Sequence, residues 1–250
     1  MDPRKVLAGK SGSPHLSYSS IAKFRAAPNV WALSYLMGIR DDAGPSAWRG
    51  QSVEAGLDKL LWGYDLPMAL AETRRRWDEL AQGVVDEKAA KEYEALEDFL
   101  KQAQAATKGK PMPLTRQSKI EVDIPGIDIP LIGYTDYRWD DHGLDLKTTL
   151  RMPSEARPDH AEQCTIYRRA TGIPFSLLYV TPKKWSIHEV VDDGSAWESV
   201  CRSAHALVHA IRKADSPADF MRMFAPDFSV FYWSDPLREA ANKFYLETAA

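Results

Sequence analysis

Residues 131–149 read LIGYTDYRWDDHGLDLKTT, and this stretch decides the fold. Leu131 to Trp139, rich in β-branched and aromatic residues, reads as a strand. Asp140, Asp141, His142 and Gly143 form a turn cluster, and Leu144 to Thr148 returns as a second strand, so the two make a hairpin. On the first strand Ile132, Tyr134, Asp136 and Arg138 share one face. If the hairpin closes symmetrically on its four turn residues, Trp139 lies opposite Leu144, Arg138 faces Asp145 and Asp136 faces Lys147. All four charges then project from one side of the sheet within cross-strand reach.

Two carboxylates and an ammonium gathered there need a physical reason. A hard divalent cation supplies one, since Mg²⁺ takes one or two carboxylates plus waters and substrate phosphate. Such an ion lowers the pKa of a bound water and stabilises charge on a phosphoryl oxygen, and a lysine beside it orients or helps deprotonate that water. The alternative is a ladder of salt bridges on a solvated sheet face. The hairpin by itself leaves both open.

Working outward, residues 1–15 read as a loose tail. A helix-cap signal at Leu16-Ser17-Tyr18-Ser19-Ser20 precedes an apolar pattern through Ile21, Phe24, Trp31, Leu33 and Leu36, divided into two short helices by Pro28. Another helix starts near Arg49-Gly50 with Val53, Leu57, Leu60 and Leu61 on one side and Glu54 beside them. Residues 67–106 are helical with a break near Gly83. Ser118–Ile124 is a strand preceding the hairpin. A helix over Asp159–Ala170 is stopped by Gly172 and Pro174, and strands follow over Phe175–Thr181 and Ser186–Val191. From Ala196 onward the chain is mostly helical. This order predicts an α/β fold, a central mixed sheet flanked by helices with a helical N-terminal elaboration, and one domain over 16–250.

The 250 residues are 44% hydrophobic, ample for a core, and the net charge of −3 argues against a passive nucleic-acid coat without excluding an enzyme whose metal site needs carboxylates. Cys164 and Cys201 stand far apart with no CxxC pair, which speaks against zinc thiolate and iron–sulfur sites and suits a free-thiol cytoplasmic protein. No signal-peptide-like apolar segment opens the chain and no apolar run is long enough to span a membrane, so neither secretion nor membrane insertion is expected.

Read together, the motifs resemble the RecB-like and phage-type exonuclease branch of the PD-(D/E)XK nuclease superfamily, whose core is restriction-endonuclease-like. The resemblance runs through Leu16-Ser17-Tyr18-Ser19 with Phe24, Pro28 and Trp31, then Arg49-Gly50-x-x-Val53-Glu54, Gly133-Tyr134-Thr135-Asp136-Tyr137, Asp145-Leu146-Lys147-Thr148-Thr149 and Gln163-x-x-x-Tyr167. Each motif is weak alone, but their ordered co-occurrence is specific. The resemblance implies that Asp136 and Asp145 ligate the metal with the Leu146 carbonyl, that Lys147 is the catalytic lysine, and that Glu54 takes a position where many members have His. Gln163 and Tyr167, with His160 on the same helix face, would abut the site. Arg49, Arg138, His160, Lys183 and Lys184 are the candidates for contact with the substrate.

The implied activity is Mg²⁺- or Mn²⁺-dependent hydrolysis of DNA, as an exonuclease of recombination or repair, with no iron–sulfur cluster and no nucleotide cofactor. Ala27-Pro28 stands where iron–sulfur members carry Cys-Pro. DNA is the expected partner; a single-strand-annealing or recombination protein and further copies of the chain are partners the resemblance would admit. Two rivals remain: a catalytically silent nucleic-acid-binding or assembly protein of the same fold, and a hydrolase of another phosphorylated substrate.

Other features are set aside. Gly9-Lys10-Ser11 lacks the leading glycine and preceding strand of a phosphate loop. His205 and His209 lie four apart without a third ligand, Arg74-Arg75-Arg76 reads as a solvated helix face, and Phe231-Tyr232-Trp233 reads as core before base-stacking surface.

Overall fold

Strand β3 (Leu131–Arg138) and strand β4 (Gly143–Thr148) form the expected hairpin at the middle of a sheet. The computed structural model describes residues 1–9, 12–39, 43–84 and 86–247, and among these the sheet has six strands. The others are β1 (Leu16–Ser17), β2 (Thr115–Val122), β5 (Phe175–Val180) and β6 (Trp185–Glu189). Their order is β1-β3-β4-β5-β6, with β2 also paired to β3. β1–β3 and β4–β5 are parallel, whereas β3–β4 and β5–β6 are antiparallel, so the sheet is mixed as expected.

The hairpin register differs from the symmetric closure. Tyr137 pairs with Leu144 and Arg138 with Gly143. The four-residue turn is therefore 139–142, one residue earlier than the pattern of turn formers implies. Trp139 causes the shift. Its N–H donates to the His142 carbonyl at 2.8 Å, its ring stacks on the His142 imidazole, and its Nε1 donates to the Pro111 carbonyl at 2.8 Å. Gly143 is drawn into the strand beneath Phe175, where a Cβ would come within 2.2 Å of the ring. The shift of two in cross-strand pairing keeps every side chain on its expected face but brings Asp136 beside Asp145 rather than Lys147.

The chain groups into two compact units, each assembled from separated segments. The first comprises residues 1–42, 119–133 and 192–250 and contains helices α1 (Pro3–Ala8), α2 (Tyr18–Ala26), α3 (Pro28–Tyr35), α9 (Ser195–Lys213), α10 (Pro217–Arg222) and α11 (Asp235–Glu247). Its core gathers Leu16, Ile21, Phe24, Trp31, Ile211 and Phe220. Where a loose tail was expected, α1 forms: Asp2 caps the Arg4 N–H at 2.9 Å, Pro3 holds the first helical position, and Arg4 pairs with Asp128 at 2.7 Å. His205 donates to the Pro125 carbonyl at 2.8 Å. Trp233 is core, but Phe231 is 90% exposed. Lys10 and Ser11 lie outside the described residues.

The second unit, residues 43–118 and 134–191, carries α4 (Pro45–Leu61), α5 (Leu66–Ala81), α6 (Glu87–Glu94), α7 (Leu96–Thr107) and α8 (Pro158–Thr171). Its core joins Val53, Leu57, Trp77, Leu96 and Phe99 of the helices to Tyr137, Leu144, Leu178 and Val180 of the sheet. α4 begins at Pro45, four residues earlier than read, and so takes Arg49 inside the helix. There Arg49 is buried: its Nη1 donates to the Glu92 carboxylate of α6, while Nε and Nη2 reach the Oγ1 and carbonyl of Thr148, each at 3.2 Å. The guanidinium also lies 4.8 Å above the Phe99 ring. Arg49, expected among the substrate contacts, is here buried and braces the end of β4.

Breaking a buried pair strands the remaining charge. Glu92→Ala is expected to lower unfolding free energy by about 3 kcal/mol in urea melts, with Glu92→Gln losing less. An unchanged midpoint for both variants would contradict this brace.

Candidate active site

Two helices of the second unit, α4 and α8, converge on the hairpin. From α4 comes Glu54, five residues beyond Arg49 and on the flank of the buried Val53–Leu57 stripe. From β3 and β4 come Asp136, Asp145 and Lys147, and from α8 come Gln163 and Tyr167, one helical turn apart.

Hydrogen bonds link these groups in two runs. In the first, Gln117 Nε2 donates to Glu54 Oε1 and lies 3.4 Å from Asp136 Oδ1, while Asp136 Oδ2 accepts the Leu146 backbone N–H at 2.8 Å. In the second, Asp145 Oδ2 lies 2.7 Å from Lys147 Nζ, Lys147 Nζ donates to Gln163 Oε1 at 2.9 Å, and Gln163 Nε2 donates to the Tyr167 hydroxyl. The structure therefore brings together Glu54, Asp136, Asp145, Lys147, Gln163 and Tyr167, the six expected catalytic residues.

Gln117 was not among the residues read from sequence. It is one of two described non-glycine residues with positive φ, at +46°, a conformation that costs energy outside glycine and that concentrates at functional sites. No motif announces it. The signal is a backbone angle, and β2 merely continues its strand pattern through the position.

The electrostatics are unbalanced. Three carboxylates face a single ammonium. Burial, aided by the charges of Asp58 and Asp145, lifts the Glu54 carboxyl to about 7 against the hydrogen bond from Gln117. Burial and then the charges of Asp145 and Glu54 raise Asp136 well above the carboxylate range. Asp145, wholly buried, is raised by desolvation despite Lys147. Burial alone would lower Lys147, but Asp145 and Asp136 outweigh it and hold its ammonium charged beyond the usual lysine range.

The same groups can take a cation. Asp145 Oδ1 is buried without a hydrogen-bond partner, and the contact of Oδ2 with Lys147 is an ion pair rather than an aligned hydrogen bond. A buried carboxylate oxygen left unsatisfied is costly unless a ligand completes it. Among the described residues no three His, Cys, Asp or Glu side chains form a ready-made cage. A Mg²⁺ ion does not require one, because two carboxylates, a carbonyl, waters and a phosphate suffice.

The remaining predicted residues separate. His160 lines a cleft of about 490 Å³ with Lys147, Thr148, Arg151, Arg157 and Tyr179. Its Nδ1 lies 2.8 Å from the Tyr179 hydroxyl, and burial together with the nearby Lys147 charge lowers it to about 4, so the ring is neutral at pH 7. Arg138 pairs at the turn end of the hairpin. Lys183 and Lys184 sit exposed in the β5–β6 turn, where their N–H groups donate to Thr181 Oγ1 at 3.3 and 3.1 Å. Neither lysine is bonded to the carboxylate cluster.

A family model described as the PD-(D/E)XK nuclease superfamily matches residues 15–222. Among solved structures, that of the "Putative exonuclease" from Eubacterium rectale is similar over 90% of this chain and 87% of its own, at 14% identity and a TM-score of 0.55. The structure of SSO0001 overlaps 66% of this chain and 86% of its own at 14% identity, with a TM-score of only 0.38. No protein among the curated sequences matches significantly. No helix among the described residues is long and apolar enough to cross a membrane.

Lys147 compensates a charge that water cannot reach. Lys147→Met is expected to cost about 3 kcal/mol in urea melts in EDTA, and adding Asp145→Asn should restore most of that loss. Simple additivity of the two changes would show that the pair is not coupled.

Proposed function

Because the chain belongs to the PD-(D/E)XK nuclease superfamily, we propose that it is a Mg²⁺- or Mn²⁺-dependent deoxyribonuclease, acting as an exonuclease in recombination or repair. Nucleases of this superfamily generally use divalent ions. The observation that carries the reading is the convergence of Glu54, Asp136, Asp145 and Lys147 around a buried carboxylate oxygen that has no hydrogen-bond partner.

Asp136 and Asp145 are the residues to hold the ion, with the Leu146 carbonyl and Glu54 completing the protein's share. When bound, the ion activates a water and offsets charge on the phosphoryl group. Lys147 Nζ has three protons; Gln163 accepts one and Asp145 pairs with the charge, which leaves the ammonium able to donate to a phosphoryl oxygen or to the attacking water. Its proton is held tightly, so it serves as a positioned cation rather than as a base. Gln163 fixes the ammonium and is itself fixed by Tyr167, which makes both positioning residues. Gln117 does the same for Glu54.

Purified protein with Mg²⁺ or Mn²⁺ is expected to degrade linear DNA and leave covalently closed circles intact, and Asp145→Asn is expected to lose at least about a thousandfold in rate while keeping its circular-dichroism spectrum. Failure to cleave linear, circular or single-stranded DNA with either ion would overturn the proposed activity. Full activity in Asp145→Asn would overturn the site.

A further inference from the structure

We infer that the turn after α4, with the cleft beside it, is a binding platform for an unpaired nucleic-acid strand, separate from the metal site. It rests on the reading that the chain acts on nucleic acid, and on surface features that the proposed reaction does not use.

Trp62 and Tyr64 follow α4 in the turn Trp62-Gly63-Tyr64, and they are 55% and 44% exposed. Two large aromatics exposed within three residues of one turn make an apolar surface of the kind that marks a binding site. Each is attended by a cation: the Arg116 guanidinium lies 5.2 Å from the Trp62 ring centre, and Lys59 Nζ lies 5.2 Å from that of Tyr64. Tyr64 also borders a cleft of about 610 Å³ whose charged lining is Lys101, Lys108 and Lys110, with no carboxylate. Lys101 is engaged with Glu97 at 2.8 Å, and Lys110 lies 5.3 Å over Trp139, but Lys108 has no ion-pair partner among the described residues. Exposed rings interleaved with cations match the chemistry of a single strand, whose bases stack and whose phosphates follow the charge. A duplex keeps its base faces stacked internally and cannot use these rings.

The platform is connected to the candidate active site along one strip. Gln117 holds Glu54, its neighbour Arg116 holds Asp58 one turn further along α4, and the same guanidinium covers Trp62 another turn on. Glu54 and Trp62 are thus about 12 Å apart along the helix axis at 1.5 Å per residue. A strand engaged at the carboxylates has a continuous path to the rings.

The test measures anisotropy of labelled oligothymidylate and oligouridylate with the full chain in EDTA, where divalent-dependent cleavage is silent, beside cleavage assays with Mg²⁺. Trp62→Ala should weaken binding of one or both probes about tenfold, Trp62→Phe should retain most of it, and Lys108→Ala should reduce the slope of log affinity against log salt by about 0.7. Trp185→Ala, another exposed tryptophan of the same unit, should bind as the parent. Loss in the DNA arm alone or the RNA arm alone identifies which strand is taken. Unchanged binding of both probes by Trp62→Ala overturns the platform, as does no binding by the parent protein. Strand binding that depends on Trp62 without any cleavage would instead overturn the nuclease reading and leave the platform standing.

Discussion

The structure is organised around a carboxylate that water does not reach. Asp145 has no exposed surface and sits on a central strand between β3 and β5. Burying such a group carries a penalty of several kcal/mol, which a single ion pair repays only with good geometry. The surroundings answer that demand on one side: Lys147 lies 2.7 Å away, and Gln163 and Tyr167 hold its ammonium in place. On the other side Asp136 and Glu54 add charge of the same sign, and the raised proton affinities of all three carboxyls record the conflict. A fold that only needed stability would have no reason to keep this arrangement. The arrangement suits the cation site proposed for these groups.

Rigidity in the supporting elements keeps this cluster from relaxing. Arg49, locked between Glu92 and Thr148, ties α4 and α6 to the end of β4 immediately beyond Lys147. Gly143 admits the Phe175 ring and so fixes where β4 begins. The Trp139–His142 stack closes the turn. Each of these contacts lies outside the carboxylate cluster, yet together they hold the strands and helix that carry it.

Most of this was legible from sequence where periodicity or order carried the information. The hairpin, the α8 helix and the Gln163–Tyr167 spacing follow from local pattern, and the six candidate site residues come from the ordered motifs of the family resemblance. The register was not legible, because the choice between turns 139–142 and 140–143 depends on Trp139 stacking on His142 and on its Nε1 reaching the Pro111 carbonyl, a contact 28 residues away that only the folded chain brings together. Arg49 looked like a surface cation because its partner Glu92 lies more than forty residues away in a solvated-looking helix. Gln117 was invisible because its role is expressed in a left-handed backbone angle. β1, with two residues, is too short for any period to show.

The segmental make-up of the two units constrains the order in which the chain can acquire structure. The second unit is built from residues between 43 and 191, whereas the first needs residues 1–42 to meet residues 192–250. During synthesis the buried face of α2 and α3, with Ile21, Phe24 and Trp31, must therefore stay uncovered until Ile211 and Phe220 emerge, long after the residues of the hairpin have been made. Closing that long loop adds little to the equilibrium cost, since loop entropy grows only logarithmically with length. Its effect is on timing: the early helices form an apolar surface that waits for residues 192–250, and the residues of the carboxylate cluster are all made before that segment.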